Sequence, residues 1–103
     1  MNLSELVYKK LTKVPEGNVT TYSELAKAVG LKNGQRAIGQ IMKKNPFPVI
    51  IPCHRVVKSD GKIGGYAYGV KVKINMLKKE GIKIQDGKIL EWNKKFYNFK
   101  IYV

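Results

Sequence analysis

Residues 21–44 read TYSELAKAVGLKNGQRAIGQIMKK and contain the signals of two short helices joined by a tight turn. Residues 21–24 form a capping box, in which a threonine and a glutamate three residues later satisfy free amides at a helix start. This box predicts a helix over residues 22–29, which Gly30 would end by adopting a left-handed conformation. A further helix is predicted over residues 34–44. Two helices with a glycine-containing turn between them are typical of a helix-turn-helix motif.

The second predicted helix would be the recognition helix of such a motif, with Asn33 as its candidate N-cap. Its inward face would carry Ala37, Ile38, Ile41 and Met42. Its exposed face is polar and basic and comprises Gln35, Arg36, Gln40, Lys43 and Lys44. This composition favours contact with DNA, whereas a plain helical hairpin in a small bundle is the alternative interpretation.

Two more helices are predicted outside this motif. Apolar residues at helical spacing indicate a first helix over residues 3–13. The same spacing indicates a last helix over residues 70–80, with Val70, Ile74 and Leu77 on its buried face.

Short β elements are predicted between and after these helices. The apolar run 47–51 is expected to form a buried strand or extended segment, and residues 59–62 a hairpin turn between two short strands. Asp86-Gly87 predicts a second hairpin over residues 82–90. The expected fold class is therefore mainly α with small β elements.

The charge of the chain is its strongest global feature. The 103 residues are enough for one domain with a modest core. Twenty Lys and Arg against seven Asp and Glu give a net charge of +13, which predicts a polyanionic partner, most often nucleic acid. A generic solvated, lysine-rich surface is the alternative. No apolar run approaches the ~20 residues of a membrane span, and no signal-peptide pattern is present, so we expect a cytoplasmic protein without a membrane partner.

Cys53 and His54 are the only cysteine and the only histidine, and they are adjacent. A thiol beside an imidazole is the minimal pair for an activated sulfur nucleophile, although a lone cysteine is more often a small buried side chain. One Cys and one His cannot form an internal disulfide or assemble a usual zinc site, so no metal is expected. The glycine- and tyrosine-rich loop 64–69 suits close approach to a flat ligand, with a flexible turn as the alternative.

The segment Ile51-Pro52-Cys53-His54-Arg55-Val56 resembles the active-site signature of the O6-alkylguanine-DNA alkyltransferases. The other motifs that carry the resemblance are, in order, Val14-Pro15-x-Gly17-x-Val19-x-x-Tyr22, Arg36-Ala37-Ile38-Gly39, Met42-x-x-Asn45-Pro46-x-Pro48, Gly64-x-Tyr66 and Glu80-Gly81. They cover roughly residues 1–84. The resemblance implies a winged-helix-like helix-turn-helix DNA-binding domain of the alkyltransferase C-terminal type. We place this domain in residues 1–90, with residues 91–103 as an aromatic and basic extension packed on it.

The resemblance implies transfer of an alkyl (methyl) group from O6-alkylguanine in double-stranded DNA to Cys53, without a cofactor and in a single turnover. His54 would act as the base through a water, and Glu80 would orient His54. Tyr22 would stabilise the guanine leaving group, and Asn45 would hold the active-site turn. The ordinary structural roles of these residues are a solvated helix-end carboxylate for Glu80, a core aromatic for Tyr22 and a turn former for Asn45.

Base flipping is also implied, because the O6 substituent lies inside the stacked duplex, where a buried thiolate cannot reach it. Arg36 would fill the gap left by the extruded base, and Met42 would pack near that base. The backbone at Val56 and the loop at Tyr66 and Ala67 would read the guanine. The remaining expected DNA contacts come from the polar face of the recognition helix, at Gln35, Gln40 and Lys43.

Two other functions stay open at this point. One is an alkyltransferase-like protein that binds O6-alkylguanine without transfer and flags it for another repair pathway. The other is a helix-turn-helix regulator with a structural cysteine. We expect a monomer, and we expect the bulk of Tyr68 to narrow the pocket against large alkyl groups.

The C-terminal extension is rich in aromatic residues. We expect Trp92, Phe96 and Phe99 to cover apolar surface that an N-terminal domain would otherwise bury. The alternation of Phe99, Ile101 and Val103 predicts a final strand. A tail used for oligomerisation is the alternative.

Overall fold

The computed structural model describes residues 2–99, and the secondary structure in that range is mainly helical. The helices are α1 (Leu3–Leu11), α2 (Tyr22–Ala28), α3 (Gln35–Lys43), α4 (Val70–Lys79) and α5 (Trp92–Lys95), and a single 3-10 turn spans Cys53–Arg55. The strands are β1 (Thr20–Thr21), β2 (Val56–Val57), β3 (Ile84–Gln85) and β4 (Lys88–Ile89). The expected fold class is confirmed, and each predicted helix is one or two residues shorter than its sequence pattern. Within residues 2–99, no helix is long and apolar enough to cross a membrane.

Helices α2 and α3 form the predicted helix-turn-helix. The Thr21 hydroxyl caps α2 by accepting a hydrogen bond from the Glu24 amide at 3.0 Å. Gly30 ends the helix with a φ of 82°, in the left-handed region. The prediction that Asn33 caps α3 is wrong, because Gly34 precedes the helix and Asn33 is itself left-handed with a φ of 52°. A side-chain cap requires an extended backbone at that position.

The larger of two apolar clusters lies where α1, α2 and α3 meet. On α3 the side chains of Ile38, Ile41 and Met42 are buried in it, as predicted. Ala37 was also expected to face inward but is exposed. Ala37 lies about a quarter of a helical turn from the centre of the face formed by Ile38, Ile41 and Met42. At that position its small side chain is not enclosed by the core.

The parallel pair of β1 and β2 ties the segment after Cys53-His54 to the start of α2, with Thr20 opposite Val56. The turn predicted at residues 59–62 is present, because the Lys58 amide donates to the Lys62 carbonyl at 2.9 Å. The predicted strand pairing across that turn is wrong. Val56 and Val57 are both fully buried. Strand β2 therefore pairs with β1 inside the protein, and not with the segment that follows the turn.

The second predicted hairpin is confirmed in β3 and β4, with Ile84 opposite Ile89. Asp86 and Gly87 have φ angles of 51° and 75°, as a two-residue turn of this kind requires. The segment 61–63 lies antiparallel to β4 through an isolated bridge between Lys62 and Lys88, with a backbone hydrogen bond on each side of it.

The apolar run 47–51 is neither buried nor a strand, so that prediction is wrong. Phe47 and Val49 are each 59% exposed and Ile50 is 77% exposed. The chain makes a tight surface turn here, because the Ile51 amide donates to the Phe47 carbonyl at 2.8 Å. Prolines at 46 and 48 interrupt the strand, and Val49 takes a left-handed φ of 75° to close the turn.

The buried face of α4 begins one turn later than predicted. Val70 was expected to face inward but is 46% exposed, because it opens the helix directly after an exposed loop. Leu77 is buried as predicted, and Ile74 packs against the smaller apolar cluster. The side chain one turn before Leu77 on this face is Lys73, which is fully buried.

Residues 91–99 pack along the same domain. The Val19 amide donates to the Lys95 carbonyl at 2.9 Å, and the Tyr97 amide donates to the Val19 carbonyl at 2.7 Å. Phe99 is fully buried in the larger cluster, and its amide donates to Oε2 of Glu24 on α2 at 2.9 Å. In the predicted final strand, Ile101 and Val103 lie outside the described residues.

Candidate active site

Cys53 opens the 3-10 turn and lines a cavity of about 1240 Å³ on the surface of the helix-turn-helix. The Cys53 residue is only 6% exposed. One wall of the cavity comes from α2 and α3 and includes Tyr22, Gln35, Arg36, Gly39, Met42 and Lys43. The opposite wall comes from two loops and includes Lys58, Ser59, Asp60, Gly65, Tyr66 and Ala67. Apart from the adjacent backbone of α3, no atom of residues 2–99 lies within 4 Å of where a side chain would project from Gly39, so the α3 wall has room for a ligand.

His54 lies behind the cavity and is fully buried. Its Nε2 is 2.8 Å from Oε2 of Glu80, across 26 residues of sequence. Burial lowers the pKa of the His54 imidazole below its ordinary value of 6.5, although the hydrogen bond to Glu80 opposes this shift. The ring is therefore neutral at pH 7. With Nε2 donating to a carboxylate, its lone pair lies on Nδ1, which has no protein hydrogen-bond partner among residues 2–99.

Arg55 holds the Glu80 carboxylate and was missed by the sequence analysis. Its Nε and Nη2 donate to the two carboxylate oxygens of Glu80 at 2.9 and 2.8 Å, and its Nη1 donates to the Val14 carbonyl at 2.9 Å. Burial alone would raise the pKa of Glu80, but the hydrogen bonds from Arg55 and His54 outweigh burial and hold it below its usual value. Glu80 is therefore ionised and fixed in orientation. The signal was available, since Arg55 follows His54 in the motif and is one of two arginines in the chain.

Lys73 is the second residue that the sequence analysis missed. Its Nζ donates to the Val56 carbonyl at 2.7 Å and to the Gly65 carbonyl at 3.0 Å. Burial lowers the pKa of Lys73 to about 8, while the nearby Cys53 opposes that shift. Lys73 thus joins the strand after Cys53 to the loop on the opposite wall. Its sequence signal is its position four residues before Leu77 on an apolar helix face, which does not by itself show that a lysine is buried there.

Three tyrosines lie close enough to Cys53 to interact with it electrostatically. Burial raises the pKa of Tyr66 to about 12, and proximity to Cys53 adds to that shift. Burial likewise raises the pKa of Tyr22 and of Tyr8, and Cys53 contributes in both cases. The Tyr8 hydroxyl donates to the Ile41 carbonyl at 2.7 Å, near the end of α3. All three hydroxyls are therefore protonated donors at neutral pH.

Asn45 spans the turn that leads to Cys53. Its Nδ2 donates to the Ile51 carbonyl at 2.8 Å, and its Oδ1 accepts from the Phe47 amide at 2.9 Å. Cys53 then begins with its own amide bonded to the Ile51 carbonyl at 2.8 Å. The side-chain amide of Asn45 thus closes this turn from both sides, and the turn fixes the position of the Cys53 thiol.

The structure brings together most of the predicted DNA-binding residues, but not all of them. Gln35, Arg36, Met42, Lys43, Tyr66 and Ala67 line the cavity with Cys53 and Tyr22. Gln40 is exposed on α3 outside the cavity lining, and the Val56 side chain is fully buried. Tyr68 is 58% exposed and does not line the cavity. Its ring packs edge-on against that of Tyr66, with the ring centroids 5.5 Å apart. The prediction that Tyr68 narrows the pocket is therefore wrong in this structure.

No group of three side chains able to hold a metal ion is present among residues 2–99. The chemistry that the site offers is that of a buried thiol beside a neutral imidazole, with a fixed carboxylate on the far side of the ring.

Known proteins similar to this chain were found by sequence and by structure. Residues 2–82 match the family described as 6-O-methylguanine DNA methyltransferase, DNA binding domain. The methylated-DNA–protein-cysteine methyltransferase of Saccharolobus solfataricus is 46% identical over 80 residues, which are 78% of this chain and 51% of that protein. The bifunctional methyltransferase/endonuclease of Picrophilus torridus is 40% identical over 99 residues, which are 96% of this chain and 33% of that protein.

Two solved structures share the fold. The Mycobacterium tuberculosis OGT in complex with DNA has a TM-score of 0.76 and 34% identity, over 79% of this chain and 49% of that one. The S. pombe Atl1 in complex with damaged DNA containing O6-carboxymethylguanine has a TM-score of 0.81 and 28% identity, over 95% of this chain and 99% of that one.

The extent of these matches differs along the chain. This chain spans between a third and a half of the length of the curated relatives above. The match to the Picrophilus torridus protein includes 99 of the 103 residues and therefore reaches through residues 91–99, beyond the region from which the resemblance was drawn. Since the family match covers residues 2–82, the chain belongs to the 6-O-methylguanine DNA methyltransferase family, through its DNA-binding domain.

Proposed function

We propose that this chain repairs duplex DNA by transferring an alkyl group from O6 of guanine to Sγ of Cys53, in a single turnover. The observation that carries the proposal is a thiol that lines a cavity walled by the recognition helix, next to a fully buried His54 whose ring is bonded to Glu80. The names of the sequence relatives support the same reaction. In this proposal the protein acts as a cytoplasmic monomer and uses neither metal nor cofactor.

The transfer begins with activation of the thiol. The Cys53 proton passes through one water to Nδ1 of His54, whose neutral ring accepts it. Glu80 stabilises the resulting imidazolium and keeps the ring oriented, because Arg55 fixes the carboxylate in place. The lowered pKa of His54 ensures that the base is unprotonated at physiological pH.

The displacement itself forms one bond and breaks one. The thiolate attacks the alkyl carbon, so that an S–C bond forms while the C–O6 bond of guanine breaks. The electron pair of that bond remains on the guanine, and the protonated hydroxyl of Tyr22 donates to the ring that carries the charge. The proton taken up by His54 returns through solvent to the guanine. The protein is left as S-alkylcysteine and is consumed.

The walls of the cavity place the substrate for this step. The base leaves the stack at a cost of a few kcal/mol, which is lower for a damaged, poorly paired guanine. Arg36 fills the space in the duplex, and Met42, Tyr66 and Ala67 line the pocket that receives the base. The Val56 backbone reads the guanine from a position that Lys73 holds. Gln35, Gln40 and Lys43 contact the DNA along α3, largely without sequence preference.

A second candidate function is lesion binding without transfer. The observation that favours it is the fold similarity to S. pombe Atl1 in complex with damaged DNA, with a TM-score of 0.81 over 95% of this chain. The presence of Cys53 in the buried relay favours transfer. A helix-turn-helix regulator with a structural cysteine does not account for the His54–Glu80–Arg55 network.

The test is to mix the protein with a duplex that carries one O6-methylguanine and to weigh the intact protein. Transfer predicts a gain of one methyl group that is absent in Cys53→Ser. Lesion-selective binding with no gain in mass supports the second candidate. Binding that ignores the lesion contradicts both.

A further inference from the structure

A second basic site lies beside the mouth of the cavity, on the hairpin that β3 and β4 form. The turn that carries the cavity-lining residues Lys58, Ser59 and Asp60 runs directly into Lys62. Lys62 lies opposite Lys88 of β4 in an antiparallel bridge. The rim of the cavity and the hairpin are therefore one continuous piece of backbone structure.

Hydrogen bonds on both sides of this bridge fix its geometry. The Ile63 amide donates to the Gly87 carbonyl at 3.0 Å, and the Ile89 amide donates to the Gly61 carbonyl at 2.9 Å. Ile63 and Ile89 are 3% and 6% exposed and point into the smaller apolar cluster. Because side chains alternate along a strand, the neighbouring Lys62 and Lys88 both point to the opposite, solvent face.

Two lysines directly opposite each other on one face of a sheet repel each other. Such pairs have Cβ atoms about 4.5–5.5 Å apart, and like charges at this spacing are destabilising. Asp60 offsets little of this, since its carboxylate is 3.9 Å from the Lys62 ammonium and both groups are exposed. Within residues 2–99, no ion pair is found for Lys88. An anion held between the two ammonium groups would remove the repulsion.

We propose that the Lys62–Lys88 pair binds a backbone phosphate of the duplex that flanks the lesion pocket. The proposal rests on DNA as the partner in the proposed function, and it adds the β3–β4 hairpin to the DNA-contacting surface. Duplex DNA fits because it presents a phosphate every ~1.7 Å along its axis, so one lies beside the rim wherever the base enters the cavity. The hairpin then acts as a wing beside the recognition helix.

The test compares a pair variant with a control variant of equal charge. The pair variant is Lys62→Gln with Lys88→Gln. The control is Lys9→Gln with Lys13→Gln, which removes two exposed lysines of the α1 region, from which no residue lines the cavity. Affinity for an undamaged duplex is measured for each over a range of salt concentrations.

The pair variant is expected to lose affinity at low salt, and its slope of log K against log salt should become shallower by about one. The control should keep the slope of the parent protein. The free pair variant should also melt at a higher temperature than the parent, because the repulsion between the two lysines is gone. A purely structural role for these lysines predicts a lower melting temperature and an unchanged slope. Equal slopes in the two variants would overturn the proposal.

The same proteins separate this proposal from the proposed function. At saturating duplex with one O6-methylguanine, the pair variant should gain one methyl group in the same yield as the parent. If the pair variant has a shallower salt slope but the parent protein gains no methyl group, the phosphate site is supported and transfer is contradicted. Full methyl transfer with equal slopes supports transfer and contradicts the phosphate site.

Discussion

Arg55 connects two parts of the site that are distant in the sequence. It binds both carboxylate oxygens of Glu80 and also the Val14 carbonyl, which lies just after α1. A lysine at this position could not make the paired contacts of a planar guanidinium. The consequence is that the carboxylate partner of His54 is held in place by a residue outside the cavity lining.

Replacing Arg55 by Met should slow transfer without weakening DNA binding. Without Arg55 the Glu80 carboxylate loses its orientation and its pKa rises, so it supports the His54 imidazolium less well. We expect the single-turnover rate at saturating duplex to fall by ~10²-fold, in the range of general-base effects. The matched control is Arg36→Met, which should weaken DNA binding and leave the saturated rate nearer to that of the parent. Equal effects of both changes on affinity and rate would contradict the assignment of Arg55.

The pH dependence of the saturated rate should report His54. Because the pKa of His54 is lowered, the ring stays neutral as pH falls to 6.5 and is protonated only below that value. The rate should therefore fall on the acid side with an inflection below pH 6.5. In Glu80→Gln the inflection should move further toward acid, because Glu80 raises the pKa of His54. An inflection above pH 6.5 in the parent would show that His54 is not the base.

The same lowered pKa links His54 to stability. Below pH 6.5 the unfolded chain takes up a proton at His54 that the folded protein does not, so folding stability should decrease as pH falls from 6.5 toward the folded-state pKa. Thermal unfolding at a series of pH values measures this. A stability that rises over the same interval would contradict a buried neutral His54.

At the scale of single elements, the turn before Cys53 carries backbone strain. Val49 has a φ of 75°, which is costly for a β-branched residue, and its side chain is 59% exposed. Val49→Asn should raise the free energy of unfolding by about 1 kcal/mol, since asparagine tolerates the left-handed region. Ile50→Asn, at an exposed neighbour without a positive φ, should change it by less than ~0.5 kcal/mol. Urea unfolding of both variants measures the difference, and a less stable Val49→Asn would rule out strain at this residue.

We propose that residues 1–90 form the active-site domain and that residues 91–103 are an extension packed on it. Phe99 is the anchor within the described part, being fully buried and bonded through its amide to Glu24 of the helix-turn-helix. Phe99→Ala should lower the free energy of unfolding by about 3–5 kcal/mol. The control, Phe47→Ala, removes a ring that is 59% exposed and should cost less than ~0.5 kcal/mol. Similar costs for the two would mean that the tail is not anchored.

How well each element could be predicted depended on how local its signals are. The helix-turn-helix and the Asp86-Gly87 hairpin were predicted because capping, glycine and turn chemistry act over a few residues. The run 47–51 looked like a strand because apolar β-branched residues favour strands. Its surface position depends on Asn45, whose amide closes the turn. Lys73 was missed because periodicity alone does not show that a lysine can be buried against two carbonyls.

For the molecule as a whole, the motif located the candidate site and the structure gave its geometry. Cys53, His54 and Tyr22 were identified from the resemblance, and the pairing of His54 with Glu80 was expected from it. Arg55 follows His54 in the motif, but its role was not predicted, because the contact with Glu80 joins side chains 25 residues apart in the sequence. The net charge of +13 predicted a polyanion, but only the strand register shows that Lys62 and Lys88 share one face.

The central claim is that the thiol of Cys53 accepts the alkyl group, and intact-mass measurement tests it most directly. The protein is mixed with an excess of duplex containing one O6-methylguanine, and the modified residue is located by peptide mapping. We expect one added methyl group per chain, on Cys53, and none in Cys53→Ser. An unchanged mass, in a protein that binds the lesion duplex more tightly than the undamaged one, would contradict it.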